Sequence, residues 1–216
     1  MDRHVASLLA MTGEGLAGSF RPDFFLIRHG ETDWNREGRL QGQRDIPLNA
    51  VGRDQADGAG RILRDVLAAQ DRDPSRLRFT ASPLGRTRDT MERVRNAVGV
   101  PPTDYRLDDR LKELAFGDWE GRSWTELKAA ARPLVRARNL DKWSFVPPGG
   151  ESYAGLKLRL RPWVETLAEG EVVVAHGGVA RVLLHMLAGV AAHAAPDIEI
   201  SQGRVLWFNR GRIQWL

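Results

Sequence analysis

Short apolar runs rich in branched and aromatic residues alternate with longer stretches whose apolar residues recur near every 3.6 positions, and this alternation narrows the possible folds most. Phe24-Phe25-Leu26-Ile27, Leu77 to Ser82, Glu171 to Ala175 and Arg204 to Phe208 read as strands. Asn209-Arg210-Gly211 then tolerates a tight turn, so Ile213 to Leu216 reads as the second arm of a terminal hairpin. Helices are expected over 49–69, 84–98, 123–139, 152–168 and 178–188. Pro162 should kink or split the fourth of these, because it lacks an N–H and crowds the preceding turn. The pattern predicts an α/β fold, a three-layer αβα sandwich with helices on both faces of a mostly parallel central sheet. Neither a repeat nor a linker interrupts it. We expect an N-terminal extension over 1–21, one domain over 22–216, and an excursion over the sheet edge at about 101–151, where prolines and glycines gather.

Composition removes several kinds of chemistry. Among 216 residues there is no cysteine, so disulfides, thiolate metal sites and cysteine nucleophiles are excluded. A cysteine-free chain suits a cytoplasmic setting. The net charge is +4, carried mainly by arginine. Acids and bases interleave without a long basic run, so a small anionic substrate is expected and nucleic acid is not. No apolar stretch approaches the roughly 20 residues that span a bilayer. Val5 to Met11 is too short and too weakly flanked for a signal peptide.

Three strand candidates end in residues suited to one task. The first runs into Arg28-His29-Gly30, the second into Ser82 and then Arg86, the third into His176-Gly177-Gly178. Ligands of open α/β sheets bind beyond the carboxyl ends of the strands. Parallel neighbours would therefore bring two histidines and two arginines to one crevice. Successive strand residues point to opposite faces, so Arg28 and His29 can share a ligand only if the chain leaves strand geometry there. Gly30 makes that turn cheap. An adjacent guanidinium disfavours imidazolium and leaves a lone pair able to attack phosphorus.

The string from Leu26 to Asn35, LIRHGETDWN, resembles the signature of the histidine phosphatase superfamily, also called phosphoglycerate-mutase-like. The resemblance continues through Ser82 to Thr87, Glu113 to Gly121, Pro148 to Ser152 and Ala175 to Gly178, in the family's order. It implies a phosphoglycerate-mutase-like fold and a metal-independent phosphomonoester hydrolase that needs no cofactor. By position it implies that His29 is phosphorylated and that Arg28, Arg86 and His176 surround the phosphoryl group, with Asn35 helping to hold it. Glu113 would protonate the leaving oxygen and then activate water. Gln41 and Gly42 would meet substrate across the pocket. The blocks resemble the shorter phosphatase branch, without the insertions and C-terminal tail of mutases. A phosphoglycerate-type mutase is the alternative, and a non-catalytic binding module a further one. Sugar phosphates, nucleotides and α-ribazole phosphate remain open as substrates, and so does monomer or homodimer.

Other residues receive lesser roles. His185 reads as a packed or hydrogen-bonded helix residue, and His4 and His193 have none. No His-x-x-x-His spacing or comparable ligand set suggests a metal. Trp34, Trp119 and Trp124 are placed near the site by the blocks that contain them. The segment from Arg122 to Ser152 is expected to cap the pocket with Trp124, Trp143 and Phe145, and to offer Arg132, Arg136 and Arg138 to a second anion.

Overall fold

The computed structural model describes residues 22–216, so the extension expected over 1–21 lies outside the described residues. In chain order the strands are β1 (Asp23–Arg28), β2 (Phe79–Ala81), β3 (Arg106–Leu107), β4 (Glu171–Ala175), β5 (Val205–Asn209) and β6 (Arg212–Trp215). The helices are α1 (Asp33–Arg36), α2 (Ala50–Ala69), α3 (Gly85–Ala97), α4 (Trp124–Ala130), α5 (Arg132–Leu140), α6 (Tyr153–Val164) and α7 (Gly177–Ala188). The sheet order is β3-β2-β4-β1-β5-β6. β3, β2, β4 and β1 pair in parallel, whereas β5 and β6 run antiparallel as the expected hairpin.

Alternation along the strands divides two cores. Phe24 and Leu26 of β1, with Val173 of β4 and Leu206 of β5, pack against α6 and α7. Phe25 and Ile27, with Val172 and Val174, pack against Leu63 and Leu67 of α2 and Met91 and Val94 of α3. These sheet residues are buried on both sides, which is why their runs are continuously apolar. A third, smaller core holds Trp119, Leu127 and Val135, with Trp124 and Phe145 packed on it, and organises the excursion.

Proline decides two departures from the expected helices. The stretch read as one helix over 123–139 is two, α4 and α5, broken at Ala131. Pro133 cannot donate to the turn before it, so it stands at the start of a new helix. Pro162 does not split α6; it occupies the last turn, and the helix ends at Val164 rather than 168. β3 was not anticipated, for its two residues are exposed and carry no apolar pattern.

The parallel order sets the site. Beyond the strand ends the ladder continues for one more rung: the His29 N–H donates to the Ala175 carbonyl at 3.0 Å, and the Ser82 N–H to that of Val174 at 3.1 Å. His29, Ser82 and His176 thus emerge together at one edge, where α3 and α7 also begin.

Candidate active site

His29 is buried, and both ring nitrogens are assigned by their neighbours. Nδ1 lies 2.7 Å from the Gly30 carbonyl, which can only accept, so Nδ1 carries the hydrogen. Nε2 lies 3.3 Å from Nε of Arg86, which can only donate, so Nε2 holds the lone pair. Burial first, then Arg86 and Arg28, push the imidazole well below its ordinary value. Gly30 is required by space: a Cβ there would fall 2.0 Å from the Gly52 carbonyl oxygen at the start of α2.

His176 caps α7, with its ring centroid 5.2 Å from that of His29. Its Nε2 meets the Ser82 hydroxyl at 2.8 Å, and its Nδ1 is buried with no protein partner. It too is held well below its ordinary value, by burial and then by Arg86. Arg86, fully buried in the first turn of α3, is anchored by the carbonyls of Arg44 at 2.6 Å and Gly42 at 2.8 Å. Arg28 donates to the Ile200 carbonyl at 2.7 Å while its Nε is buried without a partner. Burial lowers its guanidinium to about 10. Burial also lowers Arg86, and Arg28 keeps its charge at neutral pH.

The remaining expected residues line the same cavity. Thr32 and Asn35 form a capping box on α1, so Asn35 Oδ1 accepts from Thr32 and its amide N–H groups are left for a ligand. Gln41 is buried with Oε1 unpartnered. Gly42 has φ +53, and its carbonyl anchors Arg86. Glu113 Oε1 accepts from the Leu114 N–H at 2.8 Å and the Gly178 N–H at 3.0 Å. Its Oε2 accepts only from Gly178, at 3.1 Å. Seven of the eight expected site residues line this cavity; His176 does not, although Gly177 and Gly178, which follow it, do.

This arrangement brings together an imidazole with its lone pair fixed, two buried guanidinium groups and a carboxyl group on one cavity wall. The chain matches the histidine phosphatase superfamily (branch 1) over residues 24–216. It belongs to that superfamily. It is 34% identical over 194 residues to the glucosyl-3-phosphoglycerate phosphatase of Mycolicibacterium vanbaalenii, covering 84% of this chain and 80% of that one. It is 33% identical over 197 residues to a probable phosphoglycerate mutase of Salmonella choleraesuis, covering 89% and 86% respectively. Its fold is similar to the solved structure of a mycobacterial glucosyl-3-phosphoglycerate phosphatase complexed with VO3, with TM-score 0.72, 29% identity, and 90% of this chain and 96% of that one covered. The chain is a phosphoric monoester hydrolase.

Within this histidine phosphatase fold the expected cap is corrected. Trp124, Trp143 and Phe145 do not line the cavity; Phe145 and Trp124 pack on Trp119, and Trp143 stacks on Tyr153. Trp34 and Trp119 are likewise absent from the wall. Arg132 and Arg136 are exposed on α5, and Arg138 stacks 4.3 Å over the Trp124 ring. The wall is made by Arg39, Leu40, Phe116, Tyr153 and Arg181. His185 is a hydrogen-bonded helix residue, with Nδ1 2.8 Å from the Val190 carbonyl. Gln202, outside the expected site residues, donates to the His29 carbonyl at 3.2 Å and to Asn35 Oδ1 at 3.1 Å. No local motif marks it.

Two neutral buried imidazoles make stability depend on pH. Below their ordinary value of 6.5 the unfolded chain binds protons that the folded chain refuses, so stability is lost as pH falls through that region. We expect unfolding free energy to drop by about 1.4 kcal/mol per pH unit for each ring below about pH 6.5. Urea titrations between pH 7.5 and 5 measure it. Invariant stability across that interval would show that the rings take up protons while folded.

Proposed function

We propose that this enzyme hydrolyses small-molecule phosphomonoesters through a phosphohistidine on His29. In the first step Nε2 attacks phosphorus, the bond to the leaving oxygen breaks, and that oxygen takes a proton from Glu113. In the second, Glu113 takes a proton from water as the water oxygen attacks phosphorus; the P–N bond breaks and phosphate departs. Arg28, Arg86, His176 and the Asn35 amide meet the equatorial oxygens, where phosphoryl transfer needs charge and in-line positioning. Gln41 and Gly42 belong to the substrate side of the pocket, Gly42 through its hold on Arg86. The observation that carries this reading is the fixed tautomer of His29, whose lone pair lies beside a buried guanidinium. We take residues 22–216 as one catalytic domain working in the cytoplasm as a monomer or homodimer, with no nucleic-acid or membrane partner. Among the described residues no helix is long and apolar enough to cross a membrane, and no group of three or more His, Asp or Glu gathers to hold a metal.

Similarity to a probable phosphoglycerate mutase supports a second reading, in which the phosphoryl group passes to another hydroxyl rather than to water. Incubation with 3-phosphoglycerate separates the two. We expect phosphate to outpace the 2-phosphoglycerate isomer, and a burst of p-nitrophenol equal to the enzyme from p-nitrophenyl phosphate if dephosphorylation limits turnover. Isomer formed faster than phosphate would select the mutase.

A further inference from the structure

Asn35 can help hold a phosphoryl group only with its amide N–H groups, not its oxygen, facing the cavity it lines. A half turn of the amide exchanges the two, so what meets Oδ1 decides the direction. Three donors meet it: the Thr32 N–H and hydroxyl, each at 3.2 Å, and Gln202 Nε2 at 3.1 Å. The same Gln202 nitrogen donates to the His29 carbonyl at 3.2 Å. A carbonyl can only accept, so Nε2 rather than Oε1 must stand between the two oxygens. The main chain of His29 thus fixes the Gln202 amide, and Gln202 in turn helps fix that of Asn35.

The fold puts Gln202 there by register. β5 pairs antiparallel with β1, Val205 opposite Ile27, so the turn that opens β5 lies across from the end of β1. That turn needs Gly203, whose φ is +70 and where a Cβ would lie 3.3 Å from the Gln55 side chain on α2. Gln55 itself accepts from the Glu31 N–H at 2.8 Å, so the loop after His29 is held on two sides. Two residues before Gln202, the Ile200 carbonyl anchors Arg28. One short segment therefore sets Arg28, His29 and Asn35 relative to one another, although Gln202 does not line the cavity.

Resting on the phosphatase reading above, we propose that Gln202 is a positioning residue for phosphoryl transfer. It steadies the main chain of His29 and turns the amide donors of Asn35 toward the phosphoryl oxygens without touching them.

A double-mutant cycle with Asn35 tests this, read as kcat/KM for p-nitrophenyl phosphate, which reports the steps through phosphorylation. Gln202→Met should lower it roughly 3- to 10-fold, the scale of a neutral hydrogen bond. In an Asn35→Ala background the same change should cost about 2-fold or less, because the group it orients is gone. Orthovanadate, a phosphate-shaped anion without a leaving group, should inhibit Gln202→Met more weakly by a similar factor. Gln202→Glu keeps the shape but only accepts, so it draws the Asn35 amide the wrong way round and should lose more than Gln202→Met. That comparison with the native enzyme does not depend on the methionine variant folding. Gln214→Met, on exposed β6, should match the native enzyme. Native kcat/KM or native vanadate inhibition in Gln202→Met overturns the positioning role. So does an undiminished loss in the Asn35→Ala background, or a Gln202→Glu enzyme as fast as the native one. Each of these leaves p-nitrophenyl phosphate turnover, and with it the phosphatase, standing. Failure of the native enzyme to release phosphate from that ester would remove both.

Discussion

His29→Ala is expected to lower kcat for p-nitrophenyl phosphate by a factor on the order of 10⁴ or more, because nothing else at the site can form the covalent intermediate. The His176 ring is near, 5.2 Å away between centroids, but unlike His29 it does not line the cavity. Arg28 and Arg86 are cations without a lone pair to offer. The variant should stay folded. His29 is buried in a form that resists protonation, so its removal relieves a penalty on the folded state below pH 6.5. Its melting temperature there should hold or rise, which separates lost chemistry from lost structure. Label from a phosphate ester should be trapped on the native chain as an alkali-stable, acid-labile adduct and be absent from His29→Ala. Substantial turnover by His29→Ala, combined with its loss in His176→Ala, would move the nucleophile to the other ring.

Much of the fold was legible because burial on both sides of a sheet leaves a direct trace. Phe24 to Ile27 and Val172 to Ala175 must satisfy two different helix layers, so neither run can carry a polar face, and both stand out. β3 has no such obligation. Its residues, Arg106 and Leu107, pair with β2 at the sheet edge while exposed, and nothing local distinguishes them from a loop. Pro133 and Pro162 show that the same residue type acts differently with position. In the middle of an apparent helix it forced a second start; in the last turn it marked only the end.

The site was legible where its residues are contiguous with strand ends, and obscure where distant segments meet. His29, Ser82 and His176 could be assembled from strand order alone. The rest of the cavity wall could not. Arg132, Arg136 and Arg138 look favourable in sequence because they cluster beside aromatic residues, but α5 directs Arg138 onto Trp124 and leaves the others exposed. Arg181 sits inconspicuously in a hydrophobic helix, and its place in the cavity wall depends on the carbonyl of Ile198, 17 positions away. Gln202 is similar: 173 residues separate it from the carbonyl it supports.

Glu113→Gln is expected to discriminate between leaving groups rather than to abolish turnover. Glycerol 3-phosphate releases an alkoxide that needs a proton, so its first step should slow by roughly 10²- to 10⁴-fold, the usual contribution of a positioned acid. p-Nitrophenolate departs without one, and phosphorylation by p-nitrophenyl phosphate should slow far less. The second step still needs a base to take the proton from water, so a burst of p-nitrophenol should persist in the variant before a slower steady rate. Geometry explains why one oxygen can serve both steps. Oε1 is occupied by the N–H groups of Leu114 and Gly178, and Oε2 takes only the longer contact from Gly178, leaving it to exchange a proton with the leaving oxygen and then with water. Gly178→Ala gives an independent approach to the same group, since a Cβ there would fall 2.3 Å from Glu113 Oε1 and must displace that carboxylate. It should reproduce the leaving-group preference more weakly while all charges remain in place. Equal loss of the first step for both substrates in Glu113→Gln would leave Glu113 with only an electrostatic or structural part in the reaction.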